Sequence, residues 1–164
     1  DDIPSDELNV IPADTKKAPH YGYPFIHSAP DGSRNKDPKF GDHPDAQGLT
    51  FVDPAVRVQA HAAVLGMSFY RGEQFPAPFS NALFVAEHGS WNRSKKVGYQ
   101  VSVATFDSAG KPTYQPFITG WLEGQKAWGR PNDVLPTPDG GLLVSDDKAG
   151  VIYRVSATKP LAAL

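Results

Sequence analysis

The sequence predicts an all-β fold built from β-propeller blades. The apolar run at residues 83–88 recurs at residues 142–147, an offset of 59 residues from Leu83 to Leu142. Each run follows a strand-like segment and a turn, and each precedes a glycine-containing turn and a second alternating strand. A repeat of this length, made of short strands and turns without helices, is typical of propeller blades. The 15 glycines and 16 prolines among 164 residues also suit a turn-rich β protein.

Apolar alternation and turn residues predict the individual strands. The apolar run at residues 8–11 predicts a short first strand, and the polar span 28–48, which has no periodicity, predicts a long surface loop. The segment 114–119 is expected at a sheet edge, because Pro116 lacks the N–H that an inner strand donates. The other predicted strands span residues 66–70, 82–87, 99–106, 132–135, 141–146 and 151–155.

Composition excludes several classes of function. The chain has 16 Lys and Arg residues against 18 Asp and Glu, and its basic residues are scattered, so no nucleic-acid-binding surface is expected. No apolar run is long enough to span a bilayer. The absence of cysteine excludes disulfides and thiolate-bound zinc. The chain starts at Asp1 without a methionine or a signal peptide, so we expect a processed product or a piece of a longer protein.

The first candidate site follows the predicted strand 82–87. His88, Trp91 and Arg93 bring an imidazole, an indole and a guanidinium to the end of a core strand, a set suited to recognising a planar anionic ligand. The alternative is an ordinary polar loop of the kind that follows most strands. Arg130 precedes Pro131 and is expected to be extended, in a loop that converges on the propeller channel.

Two other stretches each admit two interpretations. His61 lies among alanines and either faces a cavity or is a hydrogen-bonded core residue. The segment 1–7 contains four carboxylates and a proline, and carboxylate and carbonyl oxygens at short spacing suit calcium. An acidic chain terminus without a ligand is the alternative.

Several runs, taken together and in order, resemble the glucose/sorbosone dehydrogenase family. These proteins are quinoproteins that bind pyrroloquinoline quinone (PQQ) in a six-bladed propeller. The likeness is strongest to the sorbosone dehydrogenase branch, in which the phrase HGSWNR is typical. The matching runs are DDIPSDELN, HYGYP, AHAAVLGMSFYRG, LFVAEHGSWNR, GRPNDVLPTPDGG and GVIYRV.

The resemblance implies that residues 1–164 are the C-terminal portion of the family's propeller, with about the last two to three blades. The catalytic histidine and part of the cofactor cradle would then lie before Asp1, so no catalytic residue is assigned and the isolated chain is expected to be inactive. It also implies a periplasmic or secreted protein. The expected partners are a sugar or aldehyde substrate and either the missing N-terminal blades or further copies of the chain.

The resemblance also implies site residues. Backbone carbonyls of Asp1 and Asp2 would bind calcium. Arg130 resembles an arginine that pairs with PQQ carboxylates, and Asn132 stands where some members carry a second arginine. The full set implied to bind the cofactor is Asp6, His61, Ala62, His88, Arg93, Arg130 and Asn132.

The function that the resemblance implies is PQQ-dependent oxidation of an aldose or aldehyde, as in sorbosone or glucose dehydrogenases. Hydride would pass to the quinone while a histidine base takes the hydroxyl proton and calcium polarises the quinone oxygen. One alternative is a non-catalytic propeller fragment that binds a partner or a glycan. Another is a calcium-dependent lactonase-type hydrolase, which would need carboxylates and Asn side chains around the metal.

Overall fold

The computed structural model describes residues 1–157 and confirms the all-β prediction. Its regular elements are thirteen strands and two single-turn 3-10 helices, Pro44–Ala46 and Ala77–Phe79, within that range. The strands are β1 (Asp6–Leu8), β2 (Ile26–Ser28), β3 (Arg34–Lys36), β4 (Val56–Val58), β5 (Val64–Phe69), β6 (Leu83–Glu87), β7 (Gln100–Phe106), β8 (Pro112–Ile118), β9 (Leu122–Glu123), β10 (Lys126–Ala127), β11 (Pro131–Pro136), β12 (Leu142–Asp146) and β13 (Val151–Val155).

The chain forms two compact units, Asp1–His61 and Ala62–Leu164. In the N-terminal unit, β1 pairs antiparallel with β4, and β2 and β3 form a hairpin. A single parallel bridge joins His20 to Phe51. That residues 1–164 belong to one propeller domain stays a prediction.

The C-terminal unit contains the two predicted blades. Strands β5, β6, β7 and β8 form one antiparallel sheet in chain order, and β11, β12 and β13 form a second. The repeated runs are therefore equivalent, because β6 and β12 are each the second strand of a sheet and each ends in a buried carboxylate. Strand β8 lies at the edge of its sheet, as its internal Pro116 predicts.

An apolar core fills the space between these two sheets. Phe84 is fully buried, and its ring lies 4.7 Å from that of Phe117 and 5.6 Å from that of Tyr70. The buried Tyr70 hydroxyl donates to the carbonyl of Gly140 (2.5 Å) and so joins the first sheet to the turn before β12. Both sheets thus contribute to one core, which includes Val101, Val134, Leu142 and Val144.

A second buried feature is the carboxylate of Glu87, the last residue of β6. Its Oε1 accepts hydrogen bonds from the hydroxyls of Ser102 (2.6 Å) and Tyr114 (2.7 Å). Its Oε2 accepts from Gln100 Nε2 (3.1 Å). A buried carboxylate requires such partners. Glu87 therefore fastens the end of β6 to β7 and β8.

The structure differs from the sequence prediction in the N-terminal unit. The span 28–48 contains the second strand of a hairpin and a 3-10 turn instead of an irregular loop. Local polar contacts stabilise it: Ser33 N donates to Asp31 (2.9 Å), and Arg34 forms an ion pair with Asp53 (2.9 Å). A segment that is stabilised by polar contacts shows no apolar periodicity in its sequence, so its strand could not be predicted. The first strand is also shifted, since it covers Asp6–Leu8 instead of residues 8–11.

Among the residues described, no helix is long and apolar enough to cross a membrane.

We expect Phe84→Ala to lower the free energy of unfolding by about 3–5 kcal/mol, because it leaves a cavity in the core between the two sheets. Phe106→Ala is the matched control, since that ring is 40% exposed. It should cost much less. Urea denaturation of both variants measures the difference, and equal losses would contradict the assignment of the core.

Candidate functional site

Four strand ends meet at one edge of the C-terminal unit. Antiparallel pairing places the end of β6 beside the start of β5, and the end of β12 beside the start of β11. The backbone N–H groups of His88 and Gly89 donate to the carbonyls of Ala63 (2.9 Å) and Ala62 (2.8 Å). The loops that follow the two repeated strands therefore share this edge with the segment that precedes β5.

His88 and Asp147, which occupy equivalent positions in the repeat, contact each other. Nε2 of His88 lies 2.9 Å from Oδ1 and 3.0 Å from Oδ2 of Asp147. The imidazole is 16% exposed and the carboxylate 49% exposed. Asn132 also donates to Asp147 Oδ2 (3.3 Å). The first residue after each repeated strand thus meets its counterpart from the next sheet.

Arg130 lies between the two repeats and contacts both. Its Nε donates to the carbonyl of His88 (3.0 Å) and one Nη donates to the carbonyl of Gly89 (2.6 Å). Its guanidinium also lies over the Tyr99 ring, 5.6 Å from the centroid. These contacts hold the guanidinium in one orientation and use two of its five N–H groups, so the other three can bind a further acceptor.

The buried carboxylate of Asp146 fixes the backbone from which Arg130 projects. Its Oδ1 accepts from the N–H groups of Arg130 (2.9 Å) and Ala149 (2.8 Å), and its Oδ2 accepts from the Tyr153 hydroxyl (3.2 Å). Because it is buried and fully engaged by protein groups, Asp146 acts as an anchor for two loops.

The loop after β6 depends on close packing at Gly89. This residue has φ +95°, and a Cβ there would lie 2.4 Å from the ring of Tyr99. Only glycine avoids that clash. The Tyr99 hydroxyl in turn donates to the carbonyl of Ser90, while Ser90 and Val97 exchange hydrogen bonds of 3.0 Å. The loop is thereby closed on itself, and Trp91 at its tip is 84% exposed.

The structure brings together four of the residues implied by the family resemblance. Ala62, His88, Arg130 and Asn132 share the edge described above. Arg93 is half-buried in the loop after β6. That these residues bind a cofactor stays a prediction.

The other implied residues belong to the N-terminal unit. Asp1 and Asp2 are exposed, and Asp6 begins β1, where it pairs with Val58. His61 is half-buried and has a positive φ of 66°. Within residues 1–157, no group of three or more His, Asp or Glu side chains is placed to hold a metal ion. The calcium prediction rests on backbone carbonyls, so this finding does not test it.

Sequence reasoning did not assign a role to Asp146 or Asp147. It placed the residues that follow the second repeated strand only in a glycine-containing turn. The repeat did contain a signal: Asp147 is the counterpart of His88, and side chains at equivalent blade positions converge when blades share an axis. Tyr99, whose ring lies under Arg130, was expected to begin the predicted strand 99–106. In the structure β7 begins one residue later, and Tyr99 has a positive φ of 58°.

Residues 1–158 match the protein-family model described as TrAA12-like. The chain belongs to this family of PQQ-dependent oxidoreductases. The predicted quinoprotein resemblance is thus confirmed. A curated protein of Borreliella burgdorferi (strain ATCC 35210 / DSM 4680 / CIP 102532 / B31), described as an uncharacterised protein, is 40% identical over 161 residues. The match covers 94% of this chain and 40% of that protein.

Two solved structures share the fold. A Trichoderma reesei enzyme of carbohydrate-active enzyme family AA12, in a calcium structure, aligns with a TM-score of 0.73 at 22% identity. The PQQ domain of pyranose dehydrogenase from Coprinopsis cinerea, in its holo form, aligns with a TM-score of 0.73 at 24% identity. These matches cover 96% and 94% of this chain, and the chain spans 44% of the length of each.

We expect the pKa of the Asp147 carboxyl to lie below its ordinary value. The hydrogen bond from His88 is the main cause, and the charges of His88 and Arg130 and the amide of Asn132 add to it. Because folding lowers this pKa, the carboxylate stabilises the fold above its ordinary pKa, and this contribution is lost as the pH falls through the lowered value. This contribution to the free energy of unfolding is small, since Asp147 is half exposed.

Carboxyl-carbon NMR titration of the protein and of His88→Ala measures this effect. The Asp147 pKa should rise towards its ordinary value in the variant. Asp53, whose pKa is lowered chiefly by a hydrogen bond from Arg34, is the internal control and should not move. An Asp147 pKa that is the same in both proteins would contradict the contact.

Proposed function

We propose that this chain contributes the cofactor-binding edge of a PQQ-dependent sugar dehydrogenase. The observation that carries the proposal is the arrangement around Arg130. Its guanidinium is held by two backbone carbonyls and an aromatic ring, with three N–H groups left over. PQQ is a planar tricarboxylate, and a guanidinium with a free edge pairs with a carboxylate through two parallel hydrogen bonds.

Neighbouring side chains fix the surroundings of the guanidinium. Asp147 hydrogen-bonds to His88 and Asn132, which holds two polar side chains in place, and the charge of Arg130 offsets the negative charge of Asp147. The exposed indole of Trp91, at the tip of the loop after β6, offers an aromatic face. Here PQQ would supply hydride acceptance, while the residues of this chain would bind and orient it. No proton acceptor for the substrate is assigned among them.

Calcium is part of the proposal only through backbone carbonyls at Asp1 and Asp2. Among residues 1–157, no group of three or more His, Asp or Glu side chains is placed to hold the ion.

Aldoses and sugar aldehydes such as glucose and sorbosone are the proposed substrates, and a periplasmic or secreted location is the proposed compartment. Membership in the family of PQQ-dependent oxidoreductases supports a sugar as the molecule that is oxidised. The remainder of the ring, whether other blades or further copies of the chain, is the proposed partner.

We expect Arg130→Gln to weaken PQQ binding by about tenfold or more, because a charge-assisted pair with a carboxylate is lost. Arg130→Lys keeps the charge but cannot bind the two carbonyls and a carboxylate in the same way. Its affinity for PQQ should therefore lie between that of the unaltered protein and that of Arg130→Gln. Isothermal titration with PQQ, with and without calcium, measures the affinities, and circular dichroism checks that each variant is folded.

Arg154→Gln is the matched control for this titration. Arg154 is a half-exposed guanidinium of β13 that forms an ion pair with Asp139, at the turn between β11 and β12. Its loss should leave PQQ affinity unchanged. Equal affinities for the Arg130 and Arg154 variants would show that PQQ is not held at this edge.

A further inference from the structure

A cleft of about 350 Å³ opens on the N-terminal unit, and none of the residues that line it is among those assigned above to the cofactor. It lies between β1, the turn before β2, and β2 itself. Its volume falls at the lower end of the range of roughly 300–1,000 Å³ typical of small-molecule sites. Its polar and aromatic lining comes from Ser5, Glu7, Asn9, Tyr21, Tyr23 and His27.

The hydroxyl of Ser5 is the observation that singles out this cleft. Ser5 is 8% exposed, and its Oγ has no hydrogen-bonding partner in the protein. Its backbone is fixed nonetheless, because its N–H donates to the carbonyl of Ser28 (3.0 Å). An unpaired buried hydroxyl costs free energy. Because Ser5 lines the cleft while its Oγ is itself buried, a rotation of the side chain would bring the hydroxyl to a ligand there.

The polar groups of the cleft are arranged as acceptors and donors side by side. Oε1 of Glu7 accepts from Ser28 Oγ (2.5 Å), and Oε2 accepts from Asn9 Nδ2 (3.3 Å). Each carboxylate oxygen keeps a further lone pair, and the Asn9 amide keeps its second N–H. Sugar hydroxyls both donate and accept, and so they match this mixture. An anion does not match it, because Glu7 supplies a negative charge and the lining contains no Lys or Arg.

Tyr23 supplies an apolar platform beside these groups. Its side chain is 91% exposed, whereas the hydroxyl of its neighbour Tyr21 is occupied by the carbonyl of Val10. An exposed ring beside hydrogen-bonding groups presents a flat apolar face and a polar edge. The C–H face of a pyranose ring packs on such a platform while its hydroxyls reach the polar side.

We propose that this cleft binds a pyranose as a non-catalytic sugar subsite. The proposal goes beyond the cofactor chemistry, because none of the lining residues is assigned to the cofactor or to calcium, although Ser5 and Glu7 flank Asp6 in the chain. Either a free monosaccharide or the end of a longer saccharide presents the required ring.

Saturation-transfer NMR on the full chain, without PQQ, tests the proposal. The probes are the methyl glycosides of glucose, galactose and fucose, and maltotetraose and cellotetraose as longer saccharides. Methyl glycosides have no free anomeric hydroxyl and cannot be oxidised as aldoses, so their binding is separate from dehydrogenase activity. We expect saturable binding of at least one glycoside, and tighter binding of a tetrasaccharide would identify a chain end as the source of the ring.

Two variants assign the binding to the cleft. Tyr23→Ala should weaken it by about tenfold or more, and Tyr23→Phe should retain it, since the platform is the ring. Ser5→Ala should weaken binding by about two- to tenfold without lowering the melting temperature, because removing an unpaired hydroxyl costs the folded protein nothing. Phe40→Ala removes a partly exposed ring of the same unit that does not line the cleft, and it is the control.

Three results would overturn the proposal. The first is that none of the five saccharides binds at millimolar concentrations. The second is that Tyr23→Ala binds sugar as well as the Phe40→Ala control does. The third is that choline or inorganic phosphate, tested as competing probes, binds the cleft more tightly than any saccharide does.

Discussion

The close approach of two β-sheets at Gly66 governs the C-terminal unit. A Cβ at this position of β5 would lie 1.9 Å from the Asp133 carboxylate on β11, so any other residue would push the sheets apart. With glycine, β11 packs against β5 and β6, and the Tyr70 hydroxyl reaches the carbonyl of Gly140 on the neighbouring sheet. The contact between His88 and Asp147 also joins these two sheets, and at 2.9 Å it would be lost if they moved apart by about an ångström.

Much of this arrangement is visible in the sequence, and the part that is not has a physical reason. The repeat locates β6 and β12, since apolar alternation and turn residues act locally. The contacts of Arg130 could not be read in the same way. They join residues 41 and 42 positions apart, to backbone carbonyls that carry no sequence signal. The hairpin of the N-terminal unit could not be predicted from periodicity either, because polar side chains stabilise it.

The protein already fixes the orientation of the Arg130 guanidinium at the shared edge. Two carbonyls and the Tyr99 ring restrict its rotation, so a carboxylate that binds there does not have to order a long flexible side chain. That ordering otherwise costs on the order of 0.5–1.5 kcal/mol for each side chain immobilised on binding. Its hydrogen bonds go to neutral carbonyls, and the carboxylate whose pKa its charge helps to lower, Asp147, is half exposed, so no buried ion pair neutralises the guanidinium. The arrangement thus keeps both the orientation and the charge that an anionic ligand needs.

The two buried carboxylates at the ends of β6 and β12 illustrate how a duplicated unit diverges. Glu87 binds hydroxyls and an amide of its own sheet, whereas the shorter Asp146 binds backbone N–H groups of two loops and one tyrosine hydroxyl. The longer Glu87 side chain reaches across to β7 and β8, and the shorter Asp146 reaches the backbone of the neighbouring loops. The last residue of the second strand is thus a buried anchor in both sheets. The next residue, His88 in one copy and Asp147 in the other, stands at the shared edge, where the two copies present different chemistry.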